Sequence, residues 1–166
     1  LVVVGDGPER ARLQALAGST VTLLGRQSPQ QVEALMARCR AYVYAGLEDF
    51  GIAPVEAMAS GAPVIALGRG GLLDTVRCAS AGMPKATGVL FPDQTLESLQ
   101  QAVQWFEEQR LWRQLDAEVI RRWAERFGPD AFAARFEAAL QRAWAAHRRS
   151  CDVAASDPAK VPGLLS

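Results

Sequence analysis

The sequence is poor in the residues that most often announce a chemistry. It has one histidine, His147, only two lysines, Lys85 and Lys160, and three cysteines in 166 residues. A single histidine without a nearby ligand cluster excludes the usual zinc sites, so no metal is expected, and His147 is expected to face solvent. Cys39, Cys78 and Cys151 are odd in number and far apart. That spacing excludes a zinc knuckle, a redox dithiol and a disulfide framework, and it fits free thiols in a reducing compartment, the cytoplasm. Neither sign of charge is in excess, with 18 basic and 18 acidic residues, which excludes charge-driven binding of nucleic acid. No apolar run approaches the ~20 residues that a membrane-spanning helix needs.

What is present is an ordinary globular composition, 49% hydrophobic, at a length that supports one domain with a sizeable core. The chain opens on Leu1-Val2-Val3-Val4, inside what reads as a buried strand and without an initiating methionine, so a truncated protein is expected. Gly5-Asp6-Gly7-Pro8 ends that strand, and an amphipathic segment with Leu13 and Leu16 follows. Val21 to Leu24 gives a second strand ended by Gly25-Arg26. Ser28-Pro29-Gln30-Gln31 then combines a helix cap, a first-turn proline and a capping-box glutamine. Ala41 to Tyr44 is a third strand, and Ala45 to Ala53 is a loop before a helix opened by Pro54 and closed by Gly61. Pro63 to Leu67, the loop Gly68-Arg69-Gly70-Gly71, a short helix from Leu72 to Val76, and a last strand from Thr87 to Phe91 complete the alternation. Strands that are apolar without strict alternation, separated by crossover-length segments, predict an α/β fold with a mostly parallel sheet flanked by helices.

Beyond Pro92 the pattern is helical, with Leu96, Leu99, Val103 and Phe106 on one face, then Leu111, Leu115, Val119 and Trp123, then Phe132, Phe136, Leu140 and Trp144. Trp105, Trp112, Trp123 and Trp144 read as helix-packing residues, because no basic sheet surface accompanies them. Residues 1–146 form the expected domain. After the basic group Arg142, His147, Arg148 and Arg149, the small and polar residues of 147–166 read as a flexible tail.

Three loops concentrate glycine and charge beyond the carboxyl ends of strands, where open parallel sheets place their ligands. Gly5-Asp6-Gly7 permits close backbone approach to a ligand or serves as a simple turn, and it lacks the full dinucleotide or phosphate-loop signatures. Gly68-Arg69-Gly70-Gly71 suits an anion through backbone amides, with Arg69 either adding charge-assisted hydrogen bonds or pointing to solvent. Glu48 and Glu56 carry carboxylates that can accept hydrogen bonds from sugar hydroxyls; Glu56 is equally explained by the field of a helix N-terminus, and Glu48 by exposure.

The ordered series Leu1 to Pro8, Val21 to Arg26, Glu48-Asp49-Phe50-Gly51-Ile52-Ala53-Pro54-Val55-Glu56-Ala57-Met58, Gly61 to Ile65, Gly70-Gly71 and Thr87-Gly88-Val89 resembles the retaining GT-B glycosyltransferases of group 1, also called family 4. The resemblance covers about residues 1 to 145, and its strongest element is Glu48 followed by Glu56 inside Phe-Gly and Glu-Ala-Met. It implies a Rossmann-like domain, the C-terminal half of a GT-B architecture, in an enzyme that transfers a hexose from a nucleotide-diphosphate sugar to a glycan, lipid or small-molecule acceptor. No other cofactor is implied.

By that resemblance Glu56 holds the ribose hydroxyls and Glu48 contacts the donor sugar as a positioning group rather than a nucleophile. Phe50, Gly51 and Ile52 shape the sugar pocket. Gly70 and Gly71 lie near the donor sugar and phosphates, Gly25-Arg26 approaches the base, and Gly5 and Arg69 remain further substrate-binding candidates. Arg26 and the run from Thr87 to Thr95 are similar to a mannosyltransferase-like subgroup, which favours GDP-mannose as donor. The chain departs from the full pattern by starting after the basic positions expected at the diphosphate, by lacking the N-terminal acceptor domain, and by carrying Asp74 where many relatives have glutamate. The parent enzyme is expected in the cytoplasm, peripheral at the membrane face. The competing readings are a noncatalytic nucleotide-sugar-binding or structural fragment, and another α/β nucleotide-dependent transferase.

Overall fold

Every strand expected from an apolar run forms: β1 (Val2–Val4), β2 (Thr22–Gly25), β3 (Tyr42–Tyr44), β4 (Val64–Leu67) and β5 (Gly88–Phe91). They alternate with α1 (Arg10–Leu16), α2 (Pro29–Arg38), α3 (Ile52–Ala59) and α4 (Leu72–Thr75), and are followed by α5 (Leu96–Glu108), α6 (Leu111–Gln114), α7 (Ala117–Ala124) and α8 (Pro129–Ser156). The structure, a computed structural model, describes residues 1–79 and 85–156, with side chains through residue 150. All strand pairs are parallel, in a two-stranded set β1-β2 and a three-stranded set β3-β4-β5. The architecture is an α/β domain of parallel strands flanked by helices.

Local chemistry accounts for where the helices start. Ser28 Oγ accepts from Gln31 N while the Gln31 side chain accepts from Ser28 N, so the capping box closes with Pro29 in the first turn of α2. Thr95 caps α5 through Ser98 N, and Asp116 caps α7 through Glu118 N.

The core is built around β4, whose four residues are all buried. Side chains alternate across a strand, so β4 serves both faces. Val64 and Ala66 join Ala57 and Met58 of α3 and Ile120 and Ala124 of α7. Ile65 and Leu67 join Val89 and Phe91 of β5, Ala102 and Phe106 of α5, and Leu111. Phe106 is 1% exposed, and burial of such a side chain contributes about 1.5–3 kcal/mol. Trp123 ties α7 to the end of α4: its indole N–H donates to Thr75 O at 2.7 Å, and the Arg77 guanidinium stacks over its ring at 3.5 Å.

Several expectations are corrected. The strand at Leu1–Val4 is not buried: Val2 is 51% exposed and Val4 39%, and α1 buries no residue, leaving Leu13 and Leu16 exposed. The reason is coverage of the faces: α1 buries no residue, and no residue of β1 belongs to either core cluster, so the apolar run is only half-buried at Val3. Trp112 and Trp123 pack against the core as expected, whereas Trp144 is 61% exposed and Trp105 is partly so.

The chain divides after Glu125 into two units. In the second unit α8 is helical through Ser156, which includes residues 147–156 of the expected tail. Alanines at 145, 146, 154 and 155 and the absence of proline until Pro158 favour continued helix. The rest of the expected tail, 157–166, lies outside the described residues. Phe132, Phe136, Leu140 and Trp144 form an exposed stripe on α8, with Phe132 and Phe136 stacked at 5.8 Å.

Gly88 sits where a side chain does not fit: a Cβ there would lie 1.9 Å from Val64 O across the β4-β5 ladder. Gly88→Ala is expected to destabilise the first unit by on the order of 3–5 kcal/mol, whereas Ser28→Ala should cost about 1 kcal/mol through the lost cap. Denaturant unfolding of the two variants checks the order, and a Gly88→Ala protein as stable as Ser28→Ala would contradict this packing.

Candidate functional site

Three loops meet beyond the carboxyl ends of β3, β4 and β5, held by backbone and side-chain contacts together. Gly71 N donates to Glu48 O at 2.9 Å, which fastens the glycine loop after β4 to the loop after β3. The approach leaves no room for side chains. A Cβ on Gly71 would stand 2.3 Å from Asp49 O and 2.5 Å from Phe50 Cα, and one on Gly70, at φ +60°, would stand 2.4 Å from Glu48 O. The loop after β5 joins them through Gln94 Nε2, which donates to Ala45 O at 2.9 Å, and through Arg69, which pairs with Asp93 at 3.3 Å.

On this frame Glu48 is exposed in the loop and Glu56 is exposed on α3. Gly51, at φ +83°, turns the chain into α3 in a left-handed conformation, packed close to Leu72. Glu56 lies beyond the first turn of α3, and Gly51 offers no side-chain cap, so helix capping does not account for it. Phe50 and Ile52 are 43% and 68% exposed, leaving apolar surface beside Glu48.

Tyr42 and Tyr44 share a face of β3 and stack at 6.5 Å with an interplanar angle of 11°. The Tyr44 hydroxyl donates to Glu48 Oε1. That hydrogen bond to the carboxylate is the main reason the Tyr44 phenol is pushed from 10.0 up to about 12. Tyr42 is raised as well, first by burial and then by the negative charge of Glu56. Of the two tyrosines, Tyr44 is thus bonded to Glu48 and Tyr42 feels the charge of Glu56.

The sequence-predicted residues fall into two groups. Glu48, Phe50, Gly51, Ile52, Glu56, Arg69, Gly70 and Gly71 belong to the β3-β4-β5 loops. Gly5, Gly25 and Arg26 belong to the β1-β2 loops, where Gly5 N donates to Gly25 O at 2.8 Å and the Arg10 side chain covers Gly25. Arg26 is exposed. Arg69 is turned to Asp93 rather than standing free, although the pair is 58% and 65% exposed. Among the described residues no group of three or more His, Cys, Asp or Glu is placed to hold a metal ion.

The sequence pattern of the glycosyl transferases group 1 matches residues 1–126. The chain belongs to that family.

Among curated relatives, this group 1 chain is 39% identical over 93 residues to a GDP-mannose-dependent alpha-mannosyltransferase of Mycobacterium tuberculosis, a stretch covering 55% of the chain and 23% of the relative. It is 37% identical over 93 residues to a 2-deoxystreptamine glucosyltransferase of Streptomyces kanamyceticus, covering 52% of the chain and 24% of that relative. The matched stretch is thus about a quarter of either curated relative. Among solved structures it resembles sucrose-phosphate synthase from Thermosynechococcus elongatus, with TM-score 0.69 and 28% identity over 88% of this chain and 39% of that one. It also resembles Anabaena HepE in complex with UDP-glucose, with TM-score 0.64 and 23% identity over 85% of this chain and 40% of that one, a likeness of fold.

Sequence reasoning missed Tyr44, Gly46, Asp93 and Gln94. Tyr44 and Glu48 are four residues apart, but a strand and an irregular loop carry no fixed side-chain period, so spacing does not pair them. Gly46 is explained only in space: a Cβ there would lie 2.8 Å from the Tyr44 hydroxyl.

The chain has two tyrosines, so its phenolate absorbance reports on Tyr42 and Tyr44 alone. Both should titrate above their ordinary value, and Glu48→Gln should bring Tyr44 down from about 12. A group raised on folding stabilises the fold below its unfolded value, so this contribution is complete below pH 10.0 and disappears as pH rises to about 12. A titration midpoint for Tyr44 unchanged in Glu48→Gln would contradict the assignment.

Proposed function

We propose that this chain is the donor-binding half of a retaining glycosyltransferase that transfers a hexose from a nucleotide-diphosphate sugar to a glycan, lipid or small-molecule acceptor. The observation that carries this reading is the joining of three strand-end loops at exposed Glu48, across glycine positions where no side chain fits, with exposed Glu56 on the helix that follows one of these loops. Carboxylates accept hydrogen bonds, and both have free capacity for hydroxyl donors. Glu56 takes the ribose hydroxyls and Glu48 the donor sugar, with Phe50, Gly51 and Ile52 shaping the wall against the sugar ring.

Gly70 and Gly71 let the diphosphate come close to the backbone. Arg69 supplies a guanidinium nearby, and because its pair with Asp93 is solvent-exposed and therefore weak, release toward a phosphate costs little. Gly25 and Arg26 serve the nucleotide base, and Gly5, bonded to Gly25, is a further substrate contact. In a same-face displacement the bond from the anomeric carbon to the phosphate oxygen breaks as the acceptor oxygen bonds to that carbon, and the acceptor hydroxyl proton passes to the departing phosphate oxygen on the same face. Charge then gathers on the departing diphosphate, and groups that stabilise it there lower the barrier. Glu48 acts in this reading by holding the sugar, and no covalent bond to its carboxylate is invoked.

The favoured donor is GDP-mannose, from the likeness to the mannosyltransferase and the residues at Arg26 and Thr87 to Thr95; the glucosyltransferase relative makes UDP-glucose the comparison donor. An N-terminal GT-B domain supplies the acceptor site, and the whole enzyme works in the cytoplasm, peripheral at the membrane face. Among the described residues no helix is long and apolar enough to cross a membrane.

The test compares residues 1–166 with the full-length protein for transfer from GDP-mannose and UDP-glucose to a cell-extract acceptor pool, reading the anomeric configuration of the product. Retention in the full-length protein is expected, and inversion or no transfer from either donor would count against the proposal. In the same protein Glu56→Ala should weaken nucleotide affinity by about tenfold, roughly 1.4 kcal/mol. Glu48→Ala should leave nucleotide affinity intact and lower sugar discrimination and turnover.

A further inference from the structure

Glu48 stands on an exposed loop, and its carboxylate has one side-chain partner among the described residues, the Tyr44 hydroxyl. Three features prepare that contact. Tyr44 is fixed at its base by the β3-β4 ladder, where it pairs with Ala66. Its ring stacks on Tyr42, which packs against the core cluster of α3 and α7. Its tip reaches past Gly46, where a Cβ would come within 2.8 Å of the hydroxyl and 2.9 Å of Cζ. The geometry therefore runs from a buried sheet, through two rings, to one oxygen of an exposed carboxylate.

We propose that Tyr44 is the positioning residue for Glu48, holding Oε1 so that Oε2 is presented in one orientation to two hydroxyls of the donor sugar. This rests on the reading of Glu48 as the sugar contact. A carboxylate has about four acceptor positions, so one hydrogen bond to Oε1 leaves both positions of Oε2 open while removing rotation of the group. An unheld glutamate on a loop would lose rotamer freedom on binding sugar, and Tyr44 removes that loss beforehand. The phenol stays protonated far above neutral pH, so it remains a donor throughout the working range. The family pattern around Glu48 describes what this carboxylate touches; Tyr44 concerns what aims it.

The experiment uses the full-length protein and calorimetric binding of UDP, UDP-glucose, GDP and GDP-mannose to wild type, Tyr44→Phe, Gly46→Ala, Glu48→Ala and the Tyr44→Phe/Glu48→Ala pair. Phenylalanine keeps the ring stack and removes only the hydroxyl. Tyr44→Phe is expected to leave affinity for the bare nucleoside diphosphate within about twofold and to weaken the sugar nucleotide by roughly three- to tenfold, the range of one net hydrogen bond. Gly46→Ala should displace the ring tip and give the same split. The double variant should bind like Glu48→Ala alone, because the hydroxyl acts only through that carboxylate.

If Glu48→Ala weakens the sugar nucleotide selectively but Tyr44→Phe and Gly46→Ala do not, the positioning role is overturned while the function stands. If Glu48→Ala changes neither ligand, the reading of Glu48 is itself wrong and the proposal falls with it. Equal weakening of nucleotide and sugar nucleotide in Tyr44→Phe would mark a general structural role and also overturn it.

Discussion

The candidate site depends on a contact between two backbones. The hydrogen bond from Gly71 N to Glu48 O brings the loop after β4 against the loop after β3, at a separation only residues without Cβ permit. Everything that gives the site its shape follows from this approach. It seats Glu48 at the rim, it leaves Phe50 and Ile52 facing outward, and it places Gly51 against Leu72 at the turn into α3. A side chain at position 70 or 71 would part the loops. The two glycines thus serve the loop contact in the unliganded protein as well as the proposed approach of a diphosphate.

Beneath the loops, β4 is the rigid element. Its burial on both faces fixes β3 and β5 on either side, and β3 in turn carries Tyr42 and Tyr44 toward the two glutamates. Exposed carboxylates on irregular loops are ordinarily poor at presenting a defined geometry, since each rotamer is nearly equal in energy. Tyr44 counters this by a hydrogen bond whose donor is anchored in the sheet. Precision at the rim is borrowed from order in the core.

The opposite behaviour appears at the start of the chain and in α8. β1 has the apolar sequence of a buried strand but stays largely exposed, and α8 leaves a stripe of aromatic and aliphatic side chains in solvent. Apolar residues at such positions gain little from folding, because the hydrophobic effect rewards only surface that something covers. Stability in the first unit is therefore concentrated around β3 to β5, α3, α5 and α7, where the two core clusters lie.

The sequence by itself determined the alternation of strands and helices through β5, the cap at Ser28, the α/β class, and the family through Glu48, Phe50-Gly51 and Glu56. These are carried by residues within a few positions of one another, where propensity, capping and turn chemistry act. Only the tertiary structure decided that Gly71 bonds to the backbone of Glu48, that Arg69 turns to Asp93, that Gln94 reaches Ala45 and that Tyr44 reaches Glu48. It also decided that an apolar run at β1 goes uncovered while a similar run at β4 is fully buried. The reason is the same in each case: hydrogen-bond partners in loops and the elements that cover a strand's faces are chosen by how distant segments pack, and the local pattern of a strand is identical whether or not another element covers it.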